Sequence, residues 1–545
     1  MACWCLQRRA LTAVSRASVA AKRFTSGPLS RYGLGGHNWK AFSPESYREL
    51  IHQALSHQVS YLEIAGHGGG EIAMVGALQS AIERSPDLAE RPLTVTTRIG
   101  YRTLVGGDDA QLVISRPGDV VMNEEGEAPS SIRTTVVHNL SSSFVEESIQ
   151  SSPLLELQAD MPNLRLVYLL QNPEVQVLEL LKLYPDATPE ARDSFIQARW
   201  SPALDMLEEY STSTRGVSFG VVSNGLGIPA RNNHPMHLNA DIVIDAANKF
   251  SRFLAVQLPA NLLERQGWEI ARKIKAEAPS VSIGVIRPLT CYPDLGTGKG
   301  HPFRLVDYAL PSIENGHPFA PISSTAFSTS TSTTHYTHEM RGVPSIYQIA
   351  LQTAMSHFDA EEILQAKQER DLTTEERETL DGCKLVQSMI YDLDADLDRI
   401  RSFTAHEEEL YGRIIPLLYD TFEAMDDHTS DVLQAYFAAY AVAVRFAIAK
   451  KTRQVLCEGE MQAEMSTPKY PDIPSSMSLQ EYSVRRMLAE PAFDRIIAGA
   501  STLQDFSHLV QLIEDIGTEN GSPLDAIVRA NEALGAKQAQ LNQKA

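Results

Sequence analysis

From about residue 30 onward, short runs rich in β-branched residues alternate with longer segments whose apolar positions recur every three or four residues. The runs at 32–36, 59–65, 93–99, 164–170, 217–223, 253–259, 281–289 and 495–499 read as strands. Stretches such as 43–57, 71–83, 143–155 and 263–277 read as helices between them. Ser43-Pro44-Glu45 has the form of a helix start, with a capping hydroxyl, a proline at the first helical position and an acid in the first turn. Eight strands alternating with helices predict an α/β fold, a parallel sheet closed into a (β/α)8 TIM barrel. No short fixed-period repeat runs through the chain, which excludes a solenoid.

Two insertions interrupt the rhythm. One, at 101–133, is rich in glycine and acids and follows the third strand. The other, at 301–476, follows the seventh and opens with a Ser/Thr-rich loop at 323–334. Beyond that loop the pattern turns helical, through Leu385, Ile390, Leu393, Leu397, Ile400 and Phe403, then Ile414, Leu417, Leu418, Phe422 and Met425. An apolar stretch at 432–451 ends in basic residues, where cations suit the helix dipole. The expected division is therefore a leader at 1–26, strands 1–7 at 27–300, a mostly helical insertion at 301–476, barrel completion at 477–518 and a tail at 519–545. An insertion after the seventh strand leaves from a βα loop, on the face where barrels build their sites.

Charge narrows the function classes. A net charge of −20 excludes a nucleic-acid partner, which needs clustered cations to neutralise phosphates. The first 44 residues differ from the rest: they contain no acid, while Arg8, Arg9, Arg16, Lys22, Arg23 and Arg31 are basic. That pattern predicts a mitochondrial transit peptide, with processing near Arg23 to Ser26 and the matrix as destination. Cys291, Cys383 and Cys457 are far apart and odd in number, so they form neither a disulfide framework nor a metal cluster. The longest charge-free apolar stretch, 432–444, is too short for a membrane span. His335, His338 and Glu339 have a metal-like spacing but no further clustered ligands, so no metal site is assigned to them. Asp392, Asp394, Asp396 and Asp398 flank a helical stripe as solvated charges.

Fragments in chain order resemble the aldo-keto reductases. They are Gly33 to Gly36, Ala65 to Glu71 with Gly76, Thr96 to Gly100, Leu169 to Glu174, Gly220 to Asn224, Gln257 to Arg265, Arg287 to Leu289, and Ser478 through Pro491 to Thr502. The resemblance implies a barrel that reduces carbonyls with NADPH, using a Tyr proton donor tuned by a Lys–Asp pair and a His that orients the carbonyl. This chain departs at each position. Glu63 stands for the Asp, Arg98 for the Lys and Gln171 for the His, while the Tyr position falls on His67 or Gly68. Glu63 and Arg98 are expected to form a buried, bidentate bridge. A guanidinium presents a planar fork rather than the point charge of an ammonium, and His67 is the remaining side chain able to donate a proton near neutrality.

Cofactor positions are kept unevenly. By resemblance Ser223, Asn224 and Gln257 match the nicotinamide contacts, Gly499, Ala500 and Ser501 a phosphate loop, and Gln504 an adenine contact. No Lys or Arg lies between Ile496 and Ile513, which leaves Lys299 as the substitute cation. The same polar residues are equally those a strand end needs to satisfy its own backbone. Two readings follow. In one, the protein is a mitochondrial aldo-keto-reductase-fold component of a larger assembly, docked through its helical insertion, with NADP(H) binding retained or lost. In the other, it is a divergent NADP(H)-dependent oxidoreductase acting on a carbonyl or sugar through His67, Glu63 and Arg98.

Overall fold

A computed structural model describes residues 28–36, 39, 42–64, 69–106, 119–125, 133–230, 233–262, 264–291, 303–304, 346–359, 373–397, 414, 416, 418, 427–458, 479–500 and 502–518. The chain divides into two compact units: residues 1–260, 265–288 and 484–545 form one, and residues 261–264 and 289–483 the other.

The first unit is a closed parallel barrel of eight strands. These are β1 (Tyr32–Gly35), β2 (Tyr61–Ile64), β3 (Leu93–Ile99), β4 (Leu164–Gln171), β5 (Val217–Val222), β6 (Phe253–Pro259), β7 (Ser282–Ile286) and β8 (Arg495–Gly499). Each pairs with its neighbours in sequence, and β8 closes on β1 through Tyr32–Ile496 to Gly35–Gly499. The eight expected runs all form strands, and 93–99, 253–259 and 495–499 do so end for end.

Closure has a side-chain clamp. Arg31, just before β1, donates its guanidinium to the carbonyls of Leu488, Glu490 (2.9 Å) and Phe493 on the approach to β8. Three backbone acceptors that precede the last strand are thereby satisfied by one residue that precedes the first. Inside, Tyr61, Val167, Leu169, Val222, Ala255, Ile286 and Ile497 pack as one cluster drawn from β2, β4, β5, β6, β7 and β8. Glycine makes room for them: a Cβ on Gly33 would stand 2.7 Å from the Tyr61 ring.

The helix Pro44–Ser56 starts as its sequence predicts, with the Ser43 hydroxyl accepting from the Ser46 N–H. The single helix expected over 143–155 is two, Ser142–Gln150 and Leu154–Asp160. Pro153 separates them, because its ring disfavours a helical residue before it and offers no N–H. The insertion after β3 forms a three-stranded antiparallel sheet, Tyr101–Gly106, Val120–Glu125 and Arg133–His138, with the last strand in the centre.

The second unit is mostly helical: Ile346–His357, Thr374–Asp396 and Asp427–Glu458. Its core stripe on Thr374–Asp396 runs through Leu380, Cys383, Val386 and Ile390, whereas Leu385 is exposed. Ile390 and Leu397 of the expected stripe are buried, and Leu385 alone among its described members is exposed, because five residues to Ile390 is out of step with a 3.6-residue turn. Nor is Asp394 simply solvated, since it accepts the Tyr347 phenol at 2.7 Å. The loop at 323–334 and Leu417, Phe422 and Met425 lie outside the described residues. Among those described, no helix is long and apolar enough to cross a membrane.

The tightest backbone approach is at Gly220 on β5, where a Cβ would lie 1.8 Å from the Ala255 carbonyl, beside a register shift between β5 and β6. Gly220→Ala should destabilise the barrel by about 3 kcal/mol, the upper range of overpacking, because backbone must move. Gly76→Ala, on a helix where a Cβ meets nothing within 4 Å, should instead stabilise by roughly 0.5–1 kcal/mol. Urea unfolding of the two variants checks both signs.

Candidate functional site

Parallel register sets Glu63 of β2 opposite Thr96 of β3, so Arg98 stands two residues further toward the carboxyl end. Its Nη2 reaches Glu63 Oε1 at 2.5 Å, with the side chains 13% and 3% exposed. The bridge is not bidentate as expected. The guanidinium meets the carboxylate end-on, and Arg98 Nε and Glu63 Oε2 are buried without a hydrogen-bond partner. The two-residue stagger and the longer glutamate arm account for this: the fork cannot lie flat along both oxygens.

From this pair a polar chain crosses the barrel. Gln257 on β6 accepts from Arg98 Nη2 at 3.5 Å and donates through Nε2 to the Tyr61 hydroxyl at 3.0 Å. The Arg495 guanidinium lies 4.8 Å from the centre of the Tyr61 ring. Burial, more than any neighbour, raises the Tyr61 pKa above the ordinary phenol range. Tyr61 precedes Glu63 by two residues on β2, deeper in the barrel, where it holds its proton. It was not singled out from sequence because the resemblance places a phenol after Glu63, not before it. His67, in the resembling position, lies outside the described residues.

A second polar cluster occupies the ends of β4 and β5. Glu174, wholly buried, accepts from the Ser223 hydroxyl (2.9 Å) and the Gly225 N–H (2.7 Å). Burial pushes its pKa up to about 7 against the pull of these donors. Ser223 also accepts from the Leu226 N–H. The Asn224 N–H donates to Asn172, whose amide in turn donates to the Tyr101 hydroxyl at 3.0 Å. Gln171 is half-buried at the end of β4, and its carbonyl lies 2.7 Å from Nε2 of the buried His138. His138 Nδ1 faces the Gln176 amide at 2.7 Å. Burial lowers the His138 pKa to about 4, so Nε2–H donates to Gln171 and Nδ1 accepts from Gln176.

At the last βα turn Gly499 and Gln504 are exposed and Ala500 is buried. The helix Leu503–Thr518 is capped from within its own sequence. Thr502 N–H donates to the Asp505 carboxylate and Asp505 N–H to the Thr502 hydroxyl, both at 3.0 Å. The Asp505 carboxylate thus occupies the N-terminus of its own helix, where the helix dipole favours it. Thr502-x-x-Asp505 is legible in sequence as a capping box. Ser501 and Lys299 lie outside the described residues.

The cavity that Glu63 lines measures about 10 Å³ and is otherwise walled by residues such as Leu34, Trp39, Phe42, Leu50, Met74 and Ala500. That is room for about one water. Among the described residues, Ser223 bonds Glu174, while Gln257 bonds Tyr61 and Arg98.

No protein-family model matches the chain, and no curated relative matches it in sequence. Among solved structures it is similar to an aldo-keto reductase from Bacillus halodurans in its holo form, at 11% identity and a TM-score of 0.37, covering 92% of this chain and 90% of that one. It is also similar to a candidate aldo-keto reductase from Pseudomonas aeruginosa, at 12% identity and a TM-score of 0.27, covering 48% and 73%. A third is a candidate 2,5-diketo-D-gluconic acid reductase B, at 12% identity and a TM-score of 0.26, covering 53% and 67%.

Removing one member of the buried pair should be costly. Arg98→Met should destabilise the barrel by about 3–5 kcal/mol, and Glu63→Leu with Arg98→Met should recover much of that. Thermal unfolding of the two variants decides the point. A second expectation concerns pH. His138 is held neutral, so the unfolded chain binds that proton first and stability falls as pH drops from about 6.5 toward 4. Glu174 acts oppositely: its contribution is full below about 4.5 and is lost as pH rises through about 7. Glu174→Gln, which mimics the protonated acid, should gain up to about 3 kcal/mol over the parent at pH 8 relative to pH 4.5. Denaturant titrations at the two pH values measure that difference.

Proposed function

We propose that this chain is a divergent barrel of the aldo-keto reductase type that has given up carbonyl reduction and serves as a structural component of a mitochondrial assembly. One observation carries the reading: Gln257 and Ser223, which in the resemblance would face nicotinamide, are bonded to Tyr61 and Glu174 instead. A proton donor must sit within hydrogen-bond reach of the reacting oxygen with a matched pKa. Tyr61 meets neither condition, because it is buried below the pair and its proton is held.

The mitochondrial part rests on the acid-free basic leader, and the assembly part on the large helical unit, which the barrel chemistry does not require. In this reading the Ser223 and Gln257 side chains serve bonds within the barrel, which a scaffold can use.

The mature protein should oxidise NADPH at background rates against a panel of aldehydes and leave NADPH fluorescence unchanged. In mitochondrial extract it should migrate on a native gel well above its monomer. Robust turnover that disappears in His67→Ala would overturn the proposal and establish the divergent oxidoreductase in its place.

A further inference from the structure

The second unit carries a cleft of about 630 Å³ with no part in the barrel site. Gln352, Thr353, Ser356 and His357 line it from the helix Ile346–His357, and His428 and Val432 from Asp427–Glu458. The His357 and His428 rings stand with centroids 5.0 Å apart and planes at 89°. His428 is exposed and His357 half-buried, so solvent reaches both. Phe358, buried behind His357, packs edge-on to its ring at 4.9 Å.

We propose that His357 and His428 form a two-imidazole site for a divalent transition-metal ion of the Zn²⁺, Ni²⁺ and Cu²⁺ type. Metal–nitrogen bonds of about 2.0–2.1 Å in tetrahedral geometry put the centroids of two ligating imidazoles roughly 5 Å apart. The rings already hold that spacing. His357 Nε2 lies 2.9 Å from Thr429 Oγ1. In the tautomer that donates Nε2–H to this hydroxyl, Nδ1 keeps its lone pair for the metal. Outer partners of this kind orient metal-binding histidines. A plain edge-to-face aromatic pair would explain the ring angle but not the setting, since these rings border an open cleft lined by hydroxyl and amide groups. Among the described residues no third His, Cys, Asp or Glu joins them. Water completes the coordination, which makes the site open and exchangeable rather than a closed structural centre.

The test uses the full chain, stripped with a chelator and titrated with Zn²⁺ alone by calorimetry. One equivalent should bind at neutral pH, and binding should weaken at least about tenfold in His357→Ala and in His428→Ala, and by about tenfold in Thr429→Val. Acidification should abolish it, because a ligating imidazole must be neutral. The double variant His335→Ala, His338→Ala should bind as the parent does. A measurement without variants runs beside it: Zn²⁺ should protect His357 and His428 of the parent from acylation by diethyl pyrocarbonate, read by mass spectrometry. Unchanged isotherms in both single variants, loss confined to the His335/His338 variant, or absence of protection at His357 and His428 would each overturn the proposal.

Discussion

A carboxylate and a guanidinium inside a parallel barrel have to be neutralised by each other, and Glu63 and Arg98 do this with Nη2 and Oε1 in contact. Desolvating two ions costs several kcal/mol each, so the pair persists only where geometry and further hydrogen bonds offset the loss. Here the offset is incomplete, since one atom of each partner is buried without a hydrogen bond. Gln257 and Tyr61 extend the network across the barrel, and the arginine is tied to that arrangement. A lysine in the same place would offer a rotatable point charge. The guanidinium fork, once committed, leaves no such freedom.

The rim follows the same logic of internal satisfaction. Glu174 draws in the Ser223 hydroxyl and the Gly225 N–H, and so fixes the turn after β5. His138, brought in by the sheet that follows β3, ties that sheet to the end of β4 through the Gln171 carbonyl and the Gln176 amide. The last helix caps itself with Thr502 and Asp505. Each device holds its loop through hydrogen bonds internal to the barrel unit. Buried polar groups that are paired specify one arrangement strongly.

The helical unit has its own order. The Tyr436 and Tyr440 rings stack at 5.8 Å, and the phenols of Tyr347 and Tyr440 reach Asp394 and the Leu393 carbonyl on the helix Thr374–Asp396. Burial foremost raises the Tyr347 pKa well above the ordinary phenol range, and the Asp394 carboxylate adds to this, so the hydroxyl remains a donor. These bonds give three helices a defined register that apolar packing alone would leave loose.

Local chemistry made much of this legible in advance. Period-two and period-3.6 patterns placed the eight strands, and Ser43 marked a helix start, because these signals act over a few residues of one chain. The identities at Glu63, Arg98, Gln171, Ser223, Asn224 and Gln257 could likewise be read from fragments in order. What sequence could not supply was the partner of each side chain. Whether Glu63 met Arg98 flat or end-on depended on a two-residue stagger between strands. Whether Ser223 faced a ligand or Glu174 depended on a contact 49 residues away in sequence. Leu385 fell off the buried face that Ile390 and Leu397 share, because a helix's buried face is settled only by its neighbours. The sequence by itself determined the barrel and the order of its eight strands. Only tertiary structure decided that Glu63 meets Arg98, Gln257 meets Tyr61 and Ser223 meets Glu174, because hydrogen bonds between side chains are set by distances across the sheet and not along the chain.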